Sequence, residues 1–391
     1  MATTLAIAVI AASMGFSFLY ATLIVLHRAR VSVRHLDFPS YPKVNVFLTL
    51  RNLDDGLEEN LVSVFSHDYP NYEVYFAVDS LNDPCVEVAE RVRSRFPNIR
   101  SFVVATGHLP ATNPKINKLA RLERVSNAPL IWVLDSDVRV GRQTLRALVA
   151  EHLDRGAKIV FSPVRCRGAR TFGSVIEMSY VNFFMAGGIL TAWKLLRKQV
   201  IVGKSLLIDR KALDAVGGFW YFADVLAEDH LLGEIFVRHG FSVRCNYTWV
   251  DTIKEFSTVK KYFDRMNRWA KLRFNLTRPL YLMEIFLNPL ALVLIFIPVL
   301  KSIALPLALA AIFLRAALEY AVFFAINDID RRRPGVILGL APAVLAKDLL
   351  LLIVYFLPFF SHTVNWRGNT IRIGKKTRIT FSPKNLLYDK A

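Results

Sequence analysis

The stretch Leu130-Ile131-Trp132-Val133-Leu134-Asp135-Ser136-Asp137 joins a short, continuous apolar run to two carboxylates directly after it. A run of this length that ends in polar residues is typical of a buried strand in a parallel sheet. Three similar runs precede it, at residues 44–50, 74–78 and 102–105, and helical patterns separate the four runs at 57–65, 86–96 and 116–125. This alternation predicts an α/β domain with a central, mostly parallel sheet and right-handed crossovers.

Acidic residues follow two of the predicted strands, where ligands bind in sheets of this kind. Asp79 and Asp83 come after the second strand, and Asp135 and Asp137 come after the fourth. The later pair suits a hard divalent cation that keeps water and substrate phosphates in its shell, and a solvated turn is the alternative. Asp83 also precedes Pro84, which predicts a helix cap that is compatible with ligand contact. No dinucleotide or Walker motif occurs in this domain, which disfavours those functions.

Two further stretches concentrate reactive side chains. Ala227-Glu228-Asp229-His230 places adjacent carboxylates where the Gly/aromatic loop at 217–222 meets a helical pattern, and a base could face a substrate there. Arg265 and Arg268 lie three residues apart beside Trp269, so both guanidinium groups can bind one anion. The alternatives are acids that offset a helix dipole and an Arg/Trp cluster that anchors a membrane interface.

Composition indicates a membrane protein. The 391 residues exceed one ordinary domain, and the 53% hydrophobic content predicts membrane segments in addition to a core. Many of the basic residues behind the net charge of +18 flank apolar segments, which favours lipid head groups and an anionic substrate over nucleic acid. Cys85, Cys166 and Cys245 lack metal-like spacing, so neither a disulfide framework nor a zinc site is indicated, consistent with a reducing compartment.

The first apolar run, residues 5–26, is long enough to span a bilayer. It has neither a basic region before it nor a small-residue cleavage site after it, so we interpret it as a retained anchor. His27, Arg28, Arg30 and Arg34 follow. The positive-inside rule therefore predicts an external N-terminus and a cytoplasmic domain after residue 30.

Apolar segments return in the last third of the chain. Residues 285–300 and 302–326 predict a two-helix hairpin, followed by a basic cytoplasmic loop at 331–333. The last apolar run, 336–360, carries Lys347-Asp348 at its middle, where charges are costly in lipid. A full crossing would also place the basic tail outside. We therefore expect an interfacial or re-entrant segment that returns the tail to the cytoplasm.

Several motifs together resemble one family. They are Asn113-Pro114-Lys115-Ile116-Asn117, Asp135-Ser136-Asp137, Gly217-Gly218 followed by Ala227-Glu228-Asp229, and Arg265-Met266-Asn267-Arg268-Trp269 with the four residues after it. In order and spacing this set resembles the ceramide glucosyltransferases, inverting membrane enzymes of the nucleotide-diphospho-sugar transferase superfamily. The similarity runs from about residue 44 to residue 275, with a weaker echo at Lys347-Asp348 and Trp366-Arg367.

The resemblance implies a nucleotide-sugar-binding, GT-A-like Rossmann-type domain with transmembrane helices at both ends. On the donor side, Asp83 matches the family aspartate that helps hold the nucleotide, and Asp79 is a substitute. Lys115 and Asn117 lie in a family signature that we place at the donor or its loop. The implied organisation is an anchor at 1–30, a cytoplasmic catalytic domain at 31–275, and membrane or interfacial helices with a basic tail at 276–391.

The same resemblance implies roles at the reacting centre. Asp135 and Asp137 match the motif that binds Mg²⁺ or Mn²⁺ and the donor diphosphate, and Asp229 matches the general base. Arg265, Arg268 and Trp269 match the family segment that acts as a clamp near the diphosphate and the acceptor. The chemistry of these residue types fits the implied roles. A cation and arginines stabilise a leaving diphosphate, and a single displacement with inversion needs only one base.

The implied reaction transfers a hexose, glucose, from UDP-glucose to a lipid hydroxyl such as that of ceramide. Two departures leave the acceptor open: residues 182–186 lack the family's histidine stretch, and a Cys-Gly-Gly is missing after Trp366. A hopanoid, a polyprenyl phosphate or diacylglycerol is an alternative acceptor. The alternative functions are a polysaccharide synthase, for which the chain is short, and a lipid-binding scaffold, which needs no ordered set of acids and arginines. The oligomeric state stays open.

Overall fold

A computed structural model describes residues 1–29, 40–107, 112–198, 200–366 and 369–381. The chain divides into two compact units. The sheet unit comprises Arg30–Arg165 and Ala192–Ile253, and the helical unit comprises Met1–Ala29, Cys166–Thr191 and Lys254–Ala391. Arg30, Arg34 and Arg367, which carry part of the predicted topology and family match, lie outside the described residues. The predicted domain limits at residues 30 and 275 stay predictions.

The regular elements are numbered in chain order. The strands are β1 Val44–Thr49, β2 Tyr72–Val78, β3 Ser101–Ala105, β4 Leu130–Asp135, β5 Val138–Arg139, β6 Ile159–Phe161, β7 Val164–Arg167, β8 Ser205–Asp209, β9 Val243–Cys245, β10 Val250–Ile253, β11 Thr363–Trp366, β12 Asn369–Ile373 and β13 Ile379–Phe381. The α-helices are α1 Ala2–Ala29, α2 Leu57–Phe65, α3 Pro84–Arg95, α4 Pro114–Val125, α5 Thr144–Arg155, α6 Phe172–Ser179, α7 Ala186–Lys194, α8 Arg210–Ala215, α9 Glu228–Arg238, α10 Val259–Leu276, α11 Arg278–Met283, α12 Pro289–Ile295, α13 Ile297–Leu300, α14 Ala304–Ile326 and α15 Pro334–Phe360.

The sheet unit is built on a seven-stranded sheet with the order β3-β2-β1-β4-β8-β6-β9. β1 pairs in parallel with β2 and β4, and β2 pairs in parallel with β3. The predicted α/β architecture with a mostly parallel central sheet is confirmed. The four predicted strands and three predicted helices begin and end within two residues of their predicted limits. Their apolar runs are continuous because β1 and most of β4 are buried.

Three strands of this sheet, β6, β8 and β9, were not predicted, and β8 positions part of the candidate site. β8 pairs antiparallel with both β4 and β6, with Leu134 opposite Ser205. Trp132 of β4 is fully buried, and its indole N–H donates to Ser205 Oγ over 3.0 Å. Since β8 enters the sheet at Ser205, the antiparallel pairing brings Gly203 and Lys204 beside the end of β4.

The helical unit contains the long apolar helices. Among the described residues, four segments are long and apolar enough to cross a membrane: Ala2–Ala29, Phe172–Lys194, Ile297–Ile326 and Pro334–Phe360. The first and last confirm the predicted apolar helices around 5–26 and 336–360. Phe172–Lys194 was not predicted, because the sequence analysis placed it inside the α/β domain; it includes a π-helix at Tyr180–Met185.

The predicted hairpin over 285–300 and 302–326 is wrong in its first arm. Arg278–Leu287 and Pro289–Ile295 form a pair bent by 86°. Asn288 lies at the break and caps the second helix, because its side chain accepts a hydrogen bond from Ala291 N over 3.1 Å. Asn-Pro therefore starts a new helix instead of continuing the old one. The second arm is confirmed by α14.

The expectation of a re-entrant segment over 336–360 is also wrong, because α15 is one unbroken helix. Its central charges are compensated inside the helical unit. Asp348 accepts two hydrogen bonds of 3.2 Å from Arg315 of α14, and Lys347 pairs with Glu319 of the same helix. All four side chains are buried. Paired charges remove much of the cost that argued against a membrane helix, and an interfacial position for α15 stays a prediction.

Among the described residues after α15, β11, β12 and β13 form a three-stranded antiparallel sheet. From the sequence this segment is predicted only to be a basic tail. Short strands with interspersed basic residues carry too weak a periodicity to be recognised.

Candidate active site

Asp229 lies in the first turn of α9. Its Oδ2 accepts a hydrogen bond from Gly203 N over 2.6 Å, and its Oδ1 accepts one from His230 N over 2.8 Å. Burial raises the pKa of Asp229, and the net shift stays upward although Lys115 and the two N–H groups oppose it. A carboxylate with a raised pKa is a stronger base, and its orientation here is fixed by the backbone.

Gly203 can approach Asp229 because it has no side chain. A Cβ at this position would lie 2.9 Å from Asp229 Oδ2, a distance that real Cβ atoms essentially never show, and 3.0 Å from Asp229 Cβ. Any other residue would push the carboxylate away or break the 2.6 Å hydrogen bond. This glycine is not among the residues predicted from the sequence.

Lys115 links the start of α9 to the end of β4. Asn113 caps α4 by accepting a hydrogen bond from Lys115 N over 2.9 Å. The Lys115 Nζ lies 2.9 Å from Asp135 Oδ1 and 3.1 Å from Glu228 Oε1. Burial lowers the pKa of Lys115, but the two carboxylates outweigh burial and raise it overall, so the ammonium form persists. Asn117 is buried on the same helix.

Asp135 and Asp137 share a second ammonium group. Lys204 Nζ lies 3.1 Å from Asp135 Oδ2 and 2.6 Å from Asp137 Oδ1. Thr252 Oγ1 also donates to Asp137 Oδ2, over 3.3 Å. Burial raises the pKa of Asp135, but Lys115 and Lys204 outweigh it and lower the pKa overall. The structure thus brings together the acids of two sequence motifs through two lysines.

This acidic pair has the chemistry of a site for Mg²⁺ or Mn²⁺, since both ligands are hard carboxylate oxygens. The Lys204 ammonium already bridges them, which shows that both carboxylates can face one cation. Within the described residues, no group of three or more His, Cys, Asp or Glu side chains could hold a metal ion. The remaining ligands would have to be water and donor phosphates, and Lys204 would have to leave.

Asp83 and Asp79 lie at the end of β2, on the donor side predicted from the sequence. Asp83 caps α3 as expected, by accepting a hydrogen bond from Cys85 N over 3.0 Å, and it also accepts one from Asn52 N over 2.9 Å. Burial raises the pKa of Asp83, but these hydrogen bonds outweigh it and lower the pKa. The Asp79 carboxylate lies 3.1 Å from the buried Lys118 ammonium. Their contact with a donor stays a prediction.

A small cavity lies against this cluster. Its polar wall consists of Lys115, Glu228 and Asp229, and Phe219 and Phe222 contribute to its apolar wall. Both rings belong to the loop predicted to precede the base. The same loop exposes the two aromatic side chains between them, which are 41% and 57% accessible: Trp220 and Tyr221.

The predicted clamp lies on α10 of the helical unit. Arg265 pairs with Glu177 of α6, whose side chain is only 2% exposed. The Trp269 indole packs against the Tyr180 ring with 6.0 Å between centroids. Arg268 is half-buried. The arginines' contact with a diphosphate stays a prediction, and Arg265 has a structural partner that the sequence analysis did not identify.

Two missed residues left signals in the sequence. Lys204 directly precedes an apolar strand, which places a cation at a strand end just as Asp135 and Asp137 are placed. Glu177 is a lone acid within a long apolar helix, where an ionised group needs a partner. Glu228 was noted beside Asp229, but its pairing with Lys115 depends on residues more than a hundred positions apart.

Several known proteins are similar to this chain. Ceramide glucosyltransferase 3 of Caenorhabditis elegans is 26% identical over 293 residues, which cover 73% of this chain and 63% of that protein. Ceramide glucosyltransferase 1 of the same organism is 25% identical over 63% of this chain and 53% of its own length. The chain therefore matches between half and two thirds of the length of these relatives.

Among solved structures, a mannosyltransferase from Pyrobaculum calidifontis, in complex with GDP-Man and Mn²⁺, aligns with a TM-score of 0.48 and 18% identity. The alignment covers 89% of this chain and 99% of that one. The profile of glycosyl transferase family 21 matches residues 6–379, and so includes the strand-end acids, the start of α9 and the arginine segment. Since the match extends through both units, the chain belongs to glycosyl transferase family 21.

Proposed function

We propose that this chain is an inverting glycosyltransferase that moves glucose from UDP-glucose to the hydroxyl of a membrane lipid such as ceramide. The family and the names of the two nematode relatives support the reaction class and the acceptor. The observation that carries the proposal is Asp229, a half-buried carboxylate with a raised pKa that the backbone holds beside a cavity.

Asp229 acts as the base in this proposal. It accepts the proton of the lipid hydroxyl while the hydroxyl oxygen attacks the anomeric carbon and the bond from that carbon to UDP breaks. One displacement inverts the anomeric configuration. The exposed aromatic rings of Trp220 and Tyr221 offer a surface for the apolar acceptor beside the base.

The donor binds at the strand ends. Asp83 and Asp79 contact the nucleoside, and Lys115 and Asn117 contact the donor from α4. Asp135 and Asp137 would hold Mg²⁺ or Mn²⁺, which would neutralise charge on the leaving diphosphate. This arrangement is supported by the position of the four acids at the carboxyl ends of β2 and β4 and of the other two residues on α4, the helix that precedes β4.

The family motif also assigns a clamp to the donor diphosphate. Arg265 and Arg268 bind the diphosphate, and Trp269 shields it from water, as the family motif implies. A guanidinium binds a phosphate with two parallel hydrogen bonds, which a lysine cannot reproduce. The catalytic domain, residues 31–275, lies in the cytoplasm between an anchor at 1–30 and the membrane or interfacial helices of 276–391. The apolar helices support membrane association.

Product analysis tests the proposed function. The purified full chain in lipid nanodiscs is given UDP-glucose, UDP-galactose or GDP-mannose with ceramide, diacylglycerol, a hopanoid or a polyprenyl phosphate. Mass spectrometry should detect a monoglucosylated lipid, and NMR should show inversion at the anomeric carbon. A folded protein that forms no glycolipid from any pair, or a product with retained configuration, would contradict the proposal. Unchanged turnover in excess chelator would contradict only the role of the divalent cation in the proposal.

A further inference from the structure

Lys204 occupies the position between Asp135 and Asp137 that a cation bound by both acids would need. Its ammonium lies 3.1 Å from the first carboxylate and 2.6 Å from the second. The Asp137 side chain is only 9% exposed, and those of Lys204 and Asp135 are 21% and 25% exposed, so water weakens these contacts less than it would at the surface. Hydrogen bonds between ionised groups are the strongest of their kind.

The backbone at this point ties Lys204 to the sheet. Lys204 C=O accepts a hydrogen bond from Asp135 N over 3.4 Å, and Lys204 N donates to Val202 O over 2.8 Å. The next residue, Ser205, begins β8. The main chain of Lys204 is therefore fixed beside the acids, whereas its four-carbon side chain can rotate away.

We propose that the Lys204 ammonium is a built-in competitor of the divalent cation, so that lysine and metal alternate at Asp135 and Asp137. In the absence of a donor the lysine neutralises the pair and keeps affinity for the free cation low. The metal then binds tightly only when donor phosphates supply further ligands and accept the displaced ammonium. The inference rests on the proposed function for the donor, but the competition itself needs no sugar transfer.

The competition is tested with Mn²⁺ alone. Electron paramagnetic resonance counts free aqueous Mn²⁺ in titrations of the full chain in nanodiscs, without nucleotide or acceptor. Lys204→Met keeps the length of the side chain and removes the charge, and it should bind Mn²⁺ about 10- to 100-fold more tightly, because the ion no longer displaces two charge-assisted hydrogen bonds. Lys204→Arg keeps the charge and should stay near the weak wild-type affinity.

A double variant assigns the gained affinity to the pair. Asp137→Asn combined with Lys204→Met should lose the gain. Equal Mn²⁺ affinity in wild type and Lys204→Met, or a gain that survives Asp137→Asn, would overturn the proposal. If Lys204→Met fails to fold by thermal unfolding, Lys204→Gln replaces it with the same expected result. Because no donor is present, failure here leaves glycosyl transfer standing, and an inactive protein can still show the competition.

Discussion

The main-chain N–H of Gly203 donates to the Asp229 carboxylate over 2.6 Å, although 26 residues separate the two. The next residue, Lys204, contacts Asp135 and Asp137. A single peptide unit thus connects the proposed base with the proposed cation pair. The arrangement keeps the base in one orientation, which is what catalysis by a positioned carboxylate requires.

Gly203→Ala should lower turnover about 10²-fold, because an added Cβ lies 2.9 Å from Asp229 Oδ2 and displaces the carboxylate. Product formation with the proposed donor and acceptor measures the effect. Gly339→Ala is the matched control, since a Cβ there meets nothing within 4 Å, and it should keep wild-type turnover. Equal activity of both variants would show that turnover does not depend on the close approach of the Gly203 backbone to the Asp229 carboxylate.

Asp229→Asn should reduce turnover by about 10²–10⁴-fold, because the amide keeps the shape of the side chain and cannot take a proton. Affinity for UDP, measured by calorimetry, should change little. A folded variant that binds UDP and turns over normally leaves the base assignment without support.

The pH profile gives this prediction a second readout. A base works only when deprotonated, and burial raises the pKa of Asp229. Wild-type kcat/KM should therefore fall as the pH drops, and the fall should begin above the usual aspartate range near pH ~3.9. The remaining activity of Asp229→Asn should lack this acidic limb. If the activity of both proteins falls at the same acidic pH, the fall must come from the titration of another group.

The first half of the sheet unit was predictable because each strand and helix carries its own periodicity. The runs that became β1 to β4 are apolar along their whole length, and the helices between them are amphipathic. β6, β8 and β9 are only three to five residues long, and the antiparallel insertion of β8 depends on pairing with a strand about seventy residues earlier. Local patterns do not contain that information.

In the candidate site, too, residues with a local sequence context were predictable, and residues that depend on tertiary contacts were not. Asp135, Asp137 and Asp229 could be named because acids at a strand end or helix start have a local context. The partner of Asp137, Lys204, is 67 residues away, and Glu177 is hidden in an apolar run. Charge compensation of this kind depends on tertiary contacts, as it also does for Lys347 and its partner Glu319 in the helical unit.

Thiol labelling should place the sheet unit in the cytoplasm. The native cysteines are all buried, so background labelling should be low. Both Leu153 and Thr4 are exposed, so a cysteine at either position can react with a reagent that reaches it. In intact cells, a membrane-impermeant maleimide should label Thr4→Cys on the outside and should leave Leu153→Cys, on the cytoplasmic side, unlabelled. Permeabilised cells are the control and should label both. Labelling of Leu153→Cys from outside would overturn the predicted orientation.

Lys347→Met should destabilise the helical unit, because it removes the ammonium partner of Glu319 and leaves two buried carboxylates, Glu319 and Asp348, to share the Arg315 guanidinium. Removing one member of a buried pair costs about 3–5 kcal/mol, whereas replacing both is often close to neutral. Unfolding in detergent should show a loss for the single variant and recovery in Lys347→Met with Glu319→Gln. A single variant as stable as wild type would mean that the pair contributes little to stability.

Arg265 and Glu177 offer a way to separate a structural arginine from a diphosphate-binding one. Arg265→Met leaves the Glu177 carboxylate 2% exposed and unpaired, and within the described residues Glu177 Oε2 has no hydrogen-bond partner. The expected loss is about 3 kcal/mol of unfolding free energy, near the lower end of the range for buried pairs because the Arg265 side chain keeps 26% exposure.

Adding Glu177→Gln to Arg265→Met should restore most of this stability, because the uncompensated charge is gone. If Arg265 also binds the donor diphosphate, UDP affinity and turnover should stay low in the stable double variant. Arg268→Lys, which keeps its charge but loses the planar fork, should weaken UDP binding by about 1.5–3 kcal/mol for a lost charge-assisted hydrogen bond. UDP affinity that recovers together with stability would mean that Arg265 serves the packing of α10 against α6, and the diphosphate role would pass to Arg268 alone.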